Sequence, residues 1–280
     1  MLRAISQFNL AENIELHVLP GFQDNYFYVL ENSLTQHAAA IDPGRSAEVQ
    51  ACLEQHNLTL THILLTHHHN DHTGGVESLL KTWPGAEIIC SSWFNVKPSW
   101  TCKNLRTLNP DEPDFEILGC NIYALDVRGH TVDHIAFVLK PKNSPQPTDV
   151  FVGDALFGAG CGGLFEGTYP QMLAALKNLR ALPSQIRLWC AHEYTLKNLR
   201  VATLLGEDNH EQKLRLEKLE AMVAQANVLP HESMTLPLIL SDEIATNPFL
   251  RWDSPSLQKT IDTRDELETF TYVRRFRDQF

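Results

Sequence analysis

The segment Thr66–His72 (THHHNDH) concentrates side chains that bind metal ions, and it comes directly after the apolar run Ile63–Leu65. Side chains two positions apart in an extended backbone point the same way, so we expect His67 and His69 to face a common point. The ring of His68 should point away from that point, and we interpret it as an ordinary solvated histidine. Polar groups at the end of an apolar strand cost desolvation free energy unless something pairs with them, which favours a bound ion.

Three further residues of ligand type, His130, Asp154 and His192, each end an apolar run and directly follow a small residue. The ends of strands can deliver side chains from distant parts of a chain to one point, and small neighbours let the backbone approach that point. Taken alone, each of these residues would more often be a capping or core residue. Together with the histidine-rich segment, they predict a shared metal site.

The predicted set has five histidines and two aspartates: His67, His69, Asp71, His72, His130, Asp154 and His192. These are too many donors for one tetrahedral ion, but they suit two divalent ions that share a carboxylate and a water molecule. Imidazole nitrogen with carboxylate oxygen favours zinc, iron or manganese over calcium or magnesium, and zinc is the first choice. Because the set has no cysteine, we expect an open hydrolytic site that uses a metal-bound hydroxide, and not a closed structural zinc site.

The sequence between these ligands predicts the elements that position them. Short apolar runs predict strands at Ile14–Leu19, Tyr26–Leu30, Ala38–Ile41, His62–Leu65, Glu87–Cys90, Asn121–Leu125, Ile135–Leu139, Val150–Val152 and Arg187–Cys190. Apolar residues at helical spacing predict helices at Ala47–Gln55, Gly75–Lys81, Pro170–Ala181, Asn209–Gln225 and Arg264–Arg277. Strand signals largely stop after about residue 190. We therefore expect an α/β domain at residues 1–190 that carries the metal site, followed by a smaller α-helical domain at residues 191–280.

Net charge, N-terminal pattern and cysteine spacing argue against several classes of protein. The formal net charge of −11 disfavours a nucleic-acid partner, because phosphate binding normally needs a basic surface. The N-terminus lacks the pattern of a signal peptide, and no run approaches the length of a membrane span. Six cysteines are scattered without paired spacing: Cys52, Cys90, Cys102, Cys120, Cys161 and Cys190. We expect thiols and not disulfides, in a cytoplasmic protein that acts on a small molecule as a monomer.

The combination of motifs resembles the metallo-β-lactamase superfamily and, more narrowly, the glyoxalase II family. The strings that carry the resemblance span nearly the whole chain: THHHNDHTGG at 66–75, GDALF at 153–157, GCG at 160–162, EGT at 166–168, AHEYT at 191–195, NPFLR at 247–251 and RRFRDQF at 274–280. The resemblance implies an αββα sandwich, with two sheets back to back and helices outside, followed by an α-helical substrate-binding domain. It also implies a thioesterase that hydrolyses S-D-lactoylglutathione to D-lactate and glutathione, the second step of methylglyoxal detoxification.

The resemblance further implies how the ligands divide between the two ions. His67, His69 and His130 would hold the first ion, Asp71, His72 and His192 the second, and Asp154 would bridge both. Two cations lower the pKa of a bridging water and can polarise a thioester carbonyl. Asp71 is expected to orient the hydroxide, so Asp71 and Asp154 are the predicted catalytic residues.

The same resemblance places five residues in substrate binding. Tyr194 would hydrogen-bond the peptide part of glutathione, and Arg274 and Arg277 would meet its carboxylates. Gly163 stands where relatives usually carry lysine or arginine, and Phe165 where some carry tyrosine. Losing a charge-assisted contact costs roughly 1.5–3 kcal/mol, so we expect weaker glutathione binding, or a different residue that supplies the contact.

Other functions stay open at this point. One is a related enzyme that acts on a different thioester, or a persulfide dioxygenase-like oxidoreductase with one iron. Such an oxidoreductase lacks a working second metal site, and the presence of Asp71, His72 and His192 argues against it. Another is a metal-loaded binding protein without catalysis, although all seven ligand positions hold competent residues. An assay with S-D-lactoylglutathione separates these alternatives.

Overall fold

The computed structural model describes residues 6–95, 100, 103–110, 112–226 and 235–280, and the chain divides into two compact units. Unit 1 comprises the described residues up to Asp126 together with Asp133–Gly153, and unit 2 comprises those of Val127–Val132 and Asp154–Phe280. Each unit is thus built from two separate stretches of the chain. The boundary predicted at residue 190 separates two consecutive segments of the sequence. The division into these two units does not test that boundary, which stays a prediction.

Unit 1 contains a seven-stranded sheet in the order β1 to β7. Its strands are β1 Ser6–Ala11, β2 Ile14–Gly21, β3 Asn25–Asn32, β4 His37–Ile41, β5 Thr59–Leu64, β6 Glu87–Ser91 and β7 Asn104–Leu108. The strands β1 to β4 pair antiparallel, whereas β4 to β7 pair parallel. Parallel strands that are covered on both faces usually contain an uninterrupted run of apolar residues. Ala38–Ile41 in β4 and Ile88–Cys90 in β6 are such runs.

Helices cover one face of this sheet, and further strands lie on its other face. Unit 1 contributes four antiparallel strands to a second sheet: β8 Phe115–Ile117, β9 Cys120–Asp126, β10 Ile135–Pro141 and β11 Asp149–Gly153. Its helices are α1 Ser46–His56, α2 Asn70–Thr73 and α3 Val76–Thr82. The ring of Tyr28 on β3 meets Phe151 on β11 edge-on, with centroids 5.4 Å apart. The neighbouring Val29 faces the opposite side, where it belongs to the same apolar core as Val49 and Leu53 of α1.

Unit 2 holds short strands and most of the described helices. Its strands are β12 Leu156–Phe157, β13 Gly160–Cys161, β14 Arg187–Cys190 and β15 Leu238–Ile239. Its helices are α4 Tyr169–Arg180, α5 Thr195–Thr203, α6 His210–Ala226, α7 Leu240–Thr246, α8 Pro255–Ile261 and α9 Glu266–Arg277, with a 3₁₀ turn at Pro248–Leu250. α4 begins at a capping box, in which Thr168 and Gln171 each accept a hydrogen bond from the other's backbone N–H.

Every strand and helix predicted from the sequence coincides with an observed one, with ends displaced by at most three residues. Most of the elements that the sequence did not reveal are short or exposed, as β7 shows, but α5 is a largely buried helix that was also missed. The first four residues of β7 are exposed, so the strand has no apolar face that a pattern could reveal. The longer buried strands and the longest helices are therefore the elements that the sequence predicts well.

The predictions for thiols and for membrane spans also have structural outcomes. Five cysteines are free and buried: Cys52, Cys90, Cys120, Cys161 and Cys190. The prediction of thiols is confirmed for these five, and Cys102 lies outside the described residues. Within the described ranges, no helix combines the length and the apolar character that a bilayer crossing demands.

A buried carboxylate on α7 joins three parts of unit 2. Glu243 is fully buried, and it accepts hydrogen bonds from the backbone N–H of Ala159 over 2.8 Å and from Asn247 Nδ2 over 3.0 Å. The guanidinium of Arg215 forms an ion pair with the same carboxylate. These contacts tie α6 and α7 to the chain between β12 and β13.

We expect Glu243→Ala to lower the free energy of unfolding by about 3 kcal/mol, because removing one partner of a buried ion pair leaves its other partners unpaired. Urea unfolding followed by circular dichroism measures the change. The matched control is Glu220→Ala, since Glu220 pairs with Arg200 on the exposed surface and should contribute less than about 1 kcal/mol. Equal losses in the two variants would contradict the prediction.

Candidate metal centre

The four predicted ligands of the histidine-rich segment cluster within unit 1. β5 ends at Leu64, and the chain then passes through His67 and His69 into α2, which carries Asp71 and His72. The ring centroid of His67 lies 4.7 Å from that of His69 and 4.0 Å from that of His72. His72 Nε2 lies 3.6 Å from Asp71 Oδ2. His67 and His72 are buried, but the Asp71 side chain is 40% exposed, so the cluster is accessible from the side of Asp71.

Asp42, which directly follows β4, orients two of these histidines. It is not among the residues predicted from the sequence. Its Oδ1 accepts a hydrogen bond from the backbone N–H of Thr66 over 2.8 Å, and its Oδ2 accepts one from the Thr66 hydroxyl over 2.6 Å. The same Oδ2 lies 3.0 Å from His72 Nδ1, which must donate to it. Because the Thr66 hydroxyl proton goes to Asp42, Thr66 Oγ1 accepts from His67 Nδ1, 3.0 Å away. Both histidines therefore keep the lone pair on Nε2 for a metal.

The turn that carries Asp42 approaches α2 closely. Asp42 follows the buried run Ala38–Ile41, precedes Pro43 and Gly44, and has a φ of 49°, in the left-handed region. A Cβ atom on Gly44 would lie 1.7 Å from the carbonyl oxygen of Asp71, so only glycine fits there. An aspartate at a strand end before Pro-Gly is thus the signal by which the sequence could have revealed this residue.

Two further contacts in unit 1 involve the histidine-rich segment. Asn25 Nδ2 donates a hydrogen bond to Asp71 Oδ2 over 3.1 Å. His68, which the alternation predicts to point away from its neighbours, lies with its Nδ1 3.0 Å from Asp133 Oδ1. Asn25 therefore restrains the carboxylate of Asp71, while Asp133 restrains the ring of His68.

In unit 2, the carboxylate of Asp154 faces two of the predicted histidine ligands. Asp154 comes directly after β11, His192 follows β14 by two residues, and His130 lies in the loop after β9. Asp154 Oδ2 is 3.4 Å from His130 Nε2, and Asp154 Oδ1 is 3.5 Å from His192 Nε2. Each oxygen of one carboxylate therefore faces a different imidazole, as a carboxylate shared by two ions requires.

A close backbone approach holds Asp154 and His130 in place. His130 Nδ1 donates to the carbonyl oxygen of Gly163 over 2.8 Å, which leaves the lone pair on Nε2. A Cβ atom on Gly162 would lie 2.0 Å from the carbonyl oxygen of Asp154 and 3.0 Å from His130 Nδ1. Glycine at this position is therefore a steric requirement of the cluster.

The donor chemistry of both clusters fits a divalent transition metal. His67, His72 and His130 each donate their Nδ1 proton to an oxygen, so Nε2 is the nitrogen that each could offer to a metal. Neutral imidazole with carboxylate oxygen is a donor set typical of zinc, iron and manganese. A cluster of histidine and aspartate is thus present in each unit, and the division of the seven residues between ions stays a prediction.

Two predicted substrate-binding residues lie beside predicted metal ligands in unit 2. The ring of Tyr194 stacks on that of His192, with centroids 4.9 Å apart and an interplanar angle of 8°. Phe165 is 73% exposed, and its ring meets His130 edge-on at 5.2 Å. A phenol and an apolar ring therefore border the cluster around Asp154, and their contact with substrate stays a prediction.

The two predicted substrate-binding arginines on α9 have different surroundings. Arg274 is buried and donates to the carbonyl oxygens of Cys161 and Gly162 over 2.8 and 3.3 Å. Arg277 Nε donates to Asn198 Oδ1 over 3.1 Å, and burial together with the nearby Arg274 lowers the pKa of Arg277. Arg274 therefore anchors the backbone that packs against Asp154. Contact of either arginine with a substrate carboxylate stays a prediction.

Comparison with known families accounts for nearly the whole chain. The family model of the metallo-beta-lactamase superfamily matches residues 21–192, and the model described as the hydroxyacylglutathione hydrolase C-terminus matches residues 193–280. A hydroxyacylglutathione hydrolase of Trichormus variabilis is 37% identical over 262 residues, which are 94% of this chain and 98% of that protein. The chain belongs to the hydroxyacylglutathione hydrolase family. The resemblance stated from the sequence motifs is thereby confirmed.

Other relatives extend this comparison. Another hydroxyacylglutathione hydrolase, from a Synechococcus species, is 39% identical over 269 residues, 95% of this chain and 100% of that protein. Among solved structures, a metallo-beta-lactamase from Staphylococcus aureus matches with a TM-score of 0.63 and 18% sequence identity. The aligned region covers 95% of this chain and 71% of the Staphylococcus aureus chain. This likeness shows the fold alone. It confirms the predicted fold class, and the match at residues 193–280 confirms the C-terminal helical region that follows it.

Proposed function

We propose that this chain is a thioesterase that hydrolyses S-D-lactoylglutathione, and related S-2-hydroxyacylglutathiones, to glutathione and the free hydroxy acid. The observation that carries the proposal is the carboxylate of Asp154, with one oxygen 3.4 Å from His130 Nε2 and the other 3.5 Å from His192 Nε2. The full-length similarity to hydroxyacylglutathione hydrolases supports the choice of substrate. The reaction would be the second step of methylglyoxal detoxification.

Seven residues would hold two divalent ions in this enzyme. One ion would be held by His67, His69 and His130, the other by Asp71, His72 and His192, and both by Asp154. The Nε2 lone pairs that the Nδ1 hydrogen bonds leave available support this assignment. Zinc is the proposed ion, with iron or manganese as alternatives, because the donors are imidazole and carboxylate. Bound divalent ions supply Lewis acidity that lowers the pKa of water and polarises a thioester carbonyl.

Asp71 is the proposed catalytic residue that orients the attacking water. Asn25 holds one of its oxygens over 3.1 Å, which would keep the carboxylate in a fixed orientation toward the water. Asp71 is also the more exposed of the two carboxylates in the ligand set, which supports a position close to the entering substrate. The glutathione thiolate is a good leaving group, so the reaction does not need a strong general acid.

Tyr194, Arg274 and Arg277 are the proposed contacts for the glutathione part of the substrate. The stacking of Tyr194 on His192 supports a role close to the reacting thioester, where its hydroxyl would bond a peptide group. Planar guanidinium groups can bind carboxylates bidentately, which suits the two arginines on α9. Arg274 would combine this contact with its hold on the Cys161 and Gly162 carbonyls.

A turnover assay tests the proposed function. Purified protein, stripped of metal and reloaded separately with zinc, iron or manganese, is incubated with S-D-lactoylglutathione while the thioester absorbance is followed. We expect equal amounts of D-lactate and glutathione, loss of turnover after chelation, and recovery on reloading. No turnover with any of the three metals would refute the proposal. Oxygen uptake with glutathione persulfide, measured in parallel, would instead indicate the persulfide dioxygenase-like alternative.

Gly163 offers a test of glutathione recognition. A Cβ atom at this position would meet only the ring of Phe165, at 3.7 and 3.8 Å, so a side chain fits without strain. We expect Gly163→Lys to restore the cation that relatives usually carry and to lower KM about tenfold, which corresponds to a contact of about 1.5 kcal/mol. The value of kcat should not change. Gly163→Met, a chain of similar length without charge, is the control, and an equal fall of KM in both variants would contradict a charge effect.

We propose further that residues 1–190 form the metal-binding catalytic domain and residues 191–280 the α-helical substrate-binding domain. The end of one family match at residue 192 and the start of the other at residue 193 support this division. We also propose a cytoplasmic monomer that acts on a small molecule, and the net charge of −11 argues against a nucleic-acid partner. Size-exclusion chromatography with light scattering tests the monomer, and a mass of two chains would overturn it.

A further inference from the structure

A second group of metal-ligating side chains lies in unit 1, between β2 and α1, and none of its members belongs to the ligand set described above. His17 is on β2, whereas Cys52 and His56 are four residues apart on α1 and therefore share one face of the helix. One ring nitrogen of each histidine and the Sγ of Cys52 all lie within 4.8 Å of one another. The ring centroids of His17 and His56 are 4.4 Å apart.

His17 is fully buried, and a carboxylate already orients its ring. His17 Nε2 lies 2.7 Å from Glu31 Oε2, so Nε2 carries the proton that it donates. The other nitrogen, Nδ1, keeps its lone pair, and it is buried with no hydrogen-bond partner among the described residues. A buried acceptor without a partner costs free energy that a metal–nitrogen bond would recover. A carboxylate that accepts from the second nitrogen is also the usual support of a metal-ligating histidine.

Cys52 and His56 complete the group with different degrees of burial. Cys52 is fully buried, and His56, at the end of α1, is partly exposed. Burial, with a contribution from the Glu31 carboxylate, raises the pKa of the Cys52 thiol to about 12, and burial lowers the pKa of His17. His17 is therefore neutral and ready to ligate, while a metal that binds must displace the Cys52 proton to solvent, as metals do at thiols. The partly exposed His56 marks the side from which an ion enters.

We propose that His17, Cys52 and His56 form a mononuclear site for a zinc-class transition-metal ion, separate from the hydrolytic centre. One thiolate and two imidazoles are ligands that zinc prefers, and a solvent molecule takes the fourth position. The ligand atoms of a tetrahedral zinc ion lie roughly 3.6 Å apart, so donors within 4.8 Å of one another need to approach by only about 1 Å. The bound ion joins α1 to β2 and stabilises unit 1.

Cobalt absorption distinguishes this site from the hydrolytic one, because only this site offers sulfur. The full-length protein is stripped of metal and reconstituted with Co²⁺, and the sulfur-to-cobalt charge-transfer absorption is recorded in the near ultraviolet. We expect the absorption in the wild type and in Cys120→Ala, which removes another buried thiol of unit 1. It should be absent in Cys52→Ala and reduced in His56→Gln, whose partly exposed position preserves folding. Zinc content should fall by one ion per chain in Cys52→Ala and by a smaller amount in His56→Gln.

The result that overturns the proposal is equally specific. A wild type without the charge-transfer absorption at saturating Co²⁺ would show that Cys52 is only a core thiol. Undiminished absorption in Cys52→Ala or in His56→Gln would show that the sulfur or nitrogen ligand lies elsewhere. Thioester hydrolysis in His56→Gln should equal that of the wild type, because this residue is outside the hydrolytic ligand set. The second metal site is therefore tested by cobalt absorption, and the proposed function by thioester hydrolysis, so either can fail without the other.

Discussion

Replacing Asp154 with alanine is expected to lower kcat/KM for S-D-lactoylglutathione by about 10³-fold, a loss of ~4 kcal/mol of transition-state stabilisation. The reason is geometric. The two oxygens of Asp154 face His130 Nε2 and His192 Nε2 at 3.4 and 3.5 Å, so one substitution removes a donor from each proposed ion. Metal analysis of protein purified without chelators should show fewer bound ions in the variant, and steady-state kinetics at saturating metal should show the loss of rate.

Two further variants separate the bridging role of Asp154 from a general effect of substitution. Asp154→Asn keeps the volume and one oxygen donor, so it should retain more metal than the alanine variant while remaining slow. Asp253→Ala removes a surface aspartate of the same unit that pairs with Arg180 over 2.8 Å, and it should leave the rate unchanged. If Asp154→Ala kept both its full metal content and its rate, the bridging assignment would be wrong.

Asp42→Ala is expected to lower kcat/KM by about 10–100-fold and to weaken metal binding, although Asp42 is not a proposed ligand. Asp42 accepts the protons of the Thr66 hydroxyl and of His72 Nδ1, and through Thr66 it also fixes the tautomer of His67. Without this acceptor, the two imidazoles lose the hydrogen bonds that direct their Nε2 lone pairs to a metal. The measurement is a metal titration of the stripped protein, read together with the kinetics at saturating metal.

Asp133→Ala is the matched control for Asp42→Ala. Asp133 is also a buried aspartate of unit 1 that lies 3.0 Å from a histidine, but that histidine is His68, which is outside the ligand set. We expect the control to change kcat/KM by no more than a few-fold. If the two variants lost metal affinity to the same extent, Asp42 would act through folding and not through the orientation of ligands. Weaker metal binding in Asp42→Ala than in Asp133→Ala would support orientation.

The sequence predicted the parts of the fold in which burial imposes a pattern. Buried strands such as β4 and β6 have an uninterrupted apolar run at their centre, and helices such as α4 repeat their apolar positions at helical spacing. β7 and β8 lacked such a signal, because exposed or very short strands need no continuous apolar face. The division of the chain into units at residues 126, 132 and 153 had no local signal either, because it depends on contacts between distant stretches.

The candidate site shows the same distinction at the level of single residues. Histidine and aspartate at 67, 69, 71 and 72 reveal their chemistry in the sequence, because ligand type is a property of the residue and its spacing. Asp42 did not stand out, because its function depends on Thr66 and His72, which are distant in the chain and adjacent only in the folded protein. His17, Cys52 and His56 were missed for the same reason, since β2 and α1 meet only through packing.

The amino-acid sequence alone thus determined the family, the kind of ligand and the expected reaction, because these follow from residue types at fixed spacings. Only the tertiary structure decided which ring nitrogen of His67, His72 and His130 carries the proton, and which imidazole each oxygen of Asp154 faces. The physical reason is that a hydrogen bond depends on distances of about 3 Å between atoms, and the fold sets such distances between residues far apart in the chain.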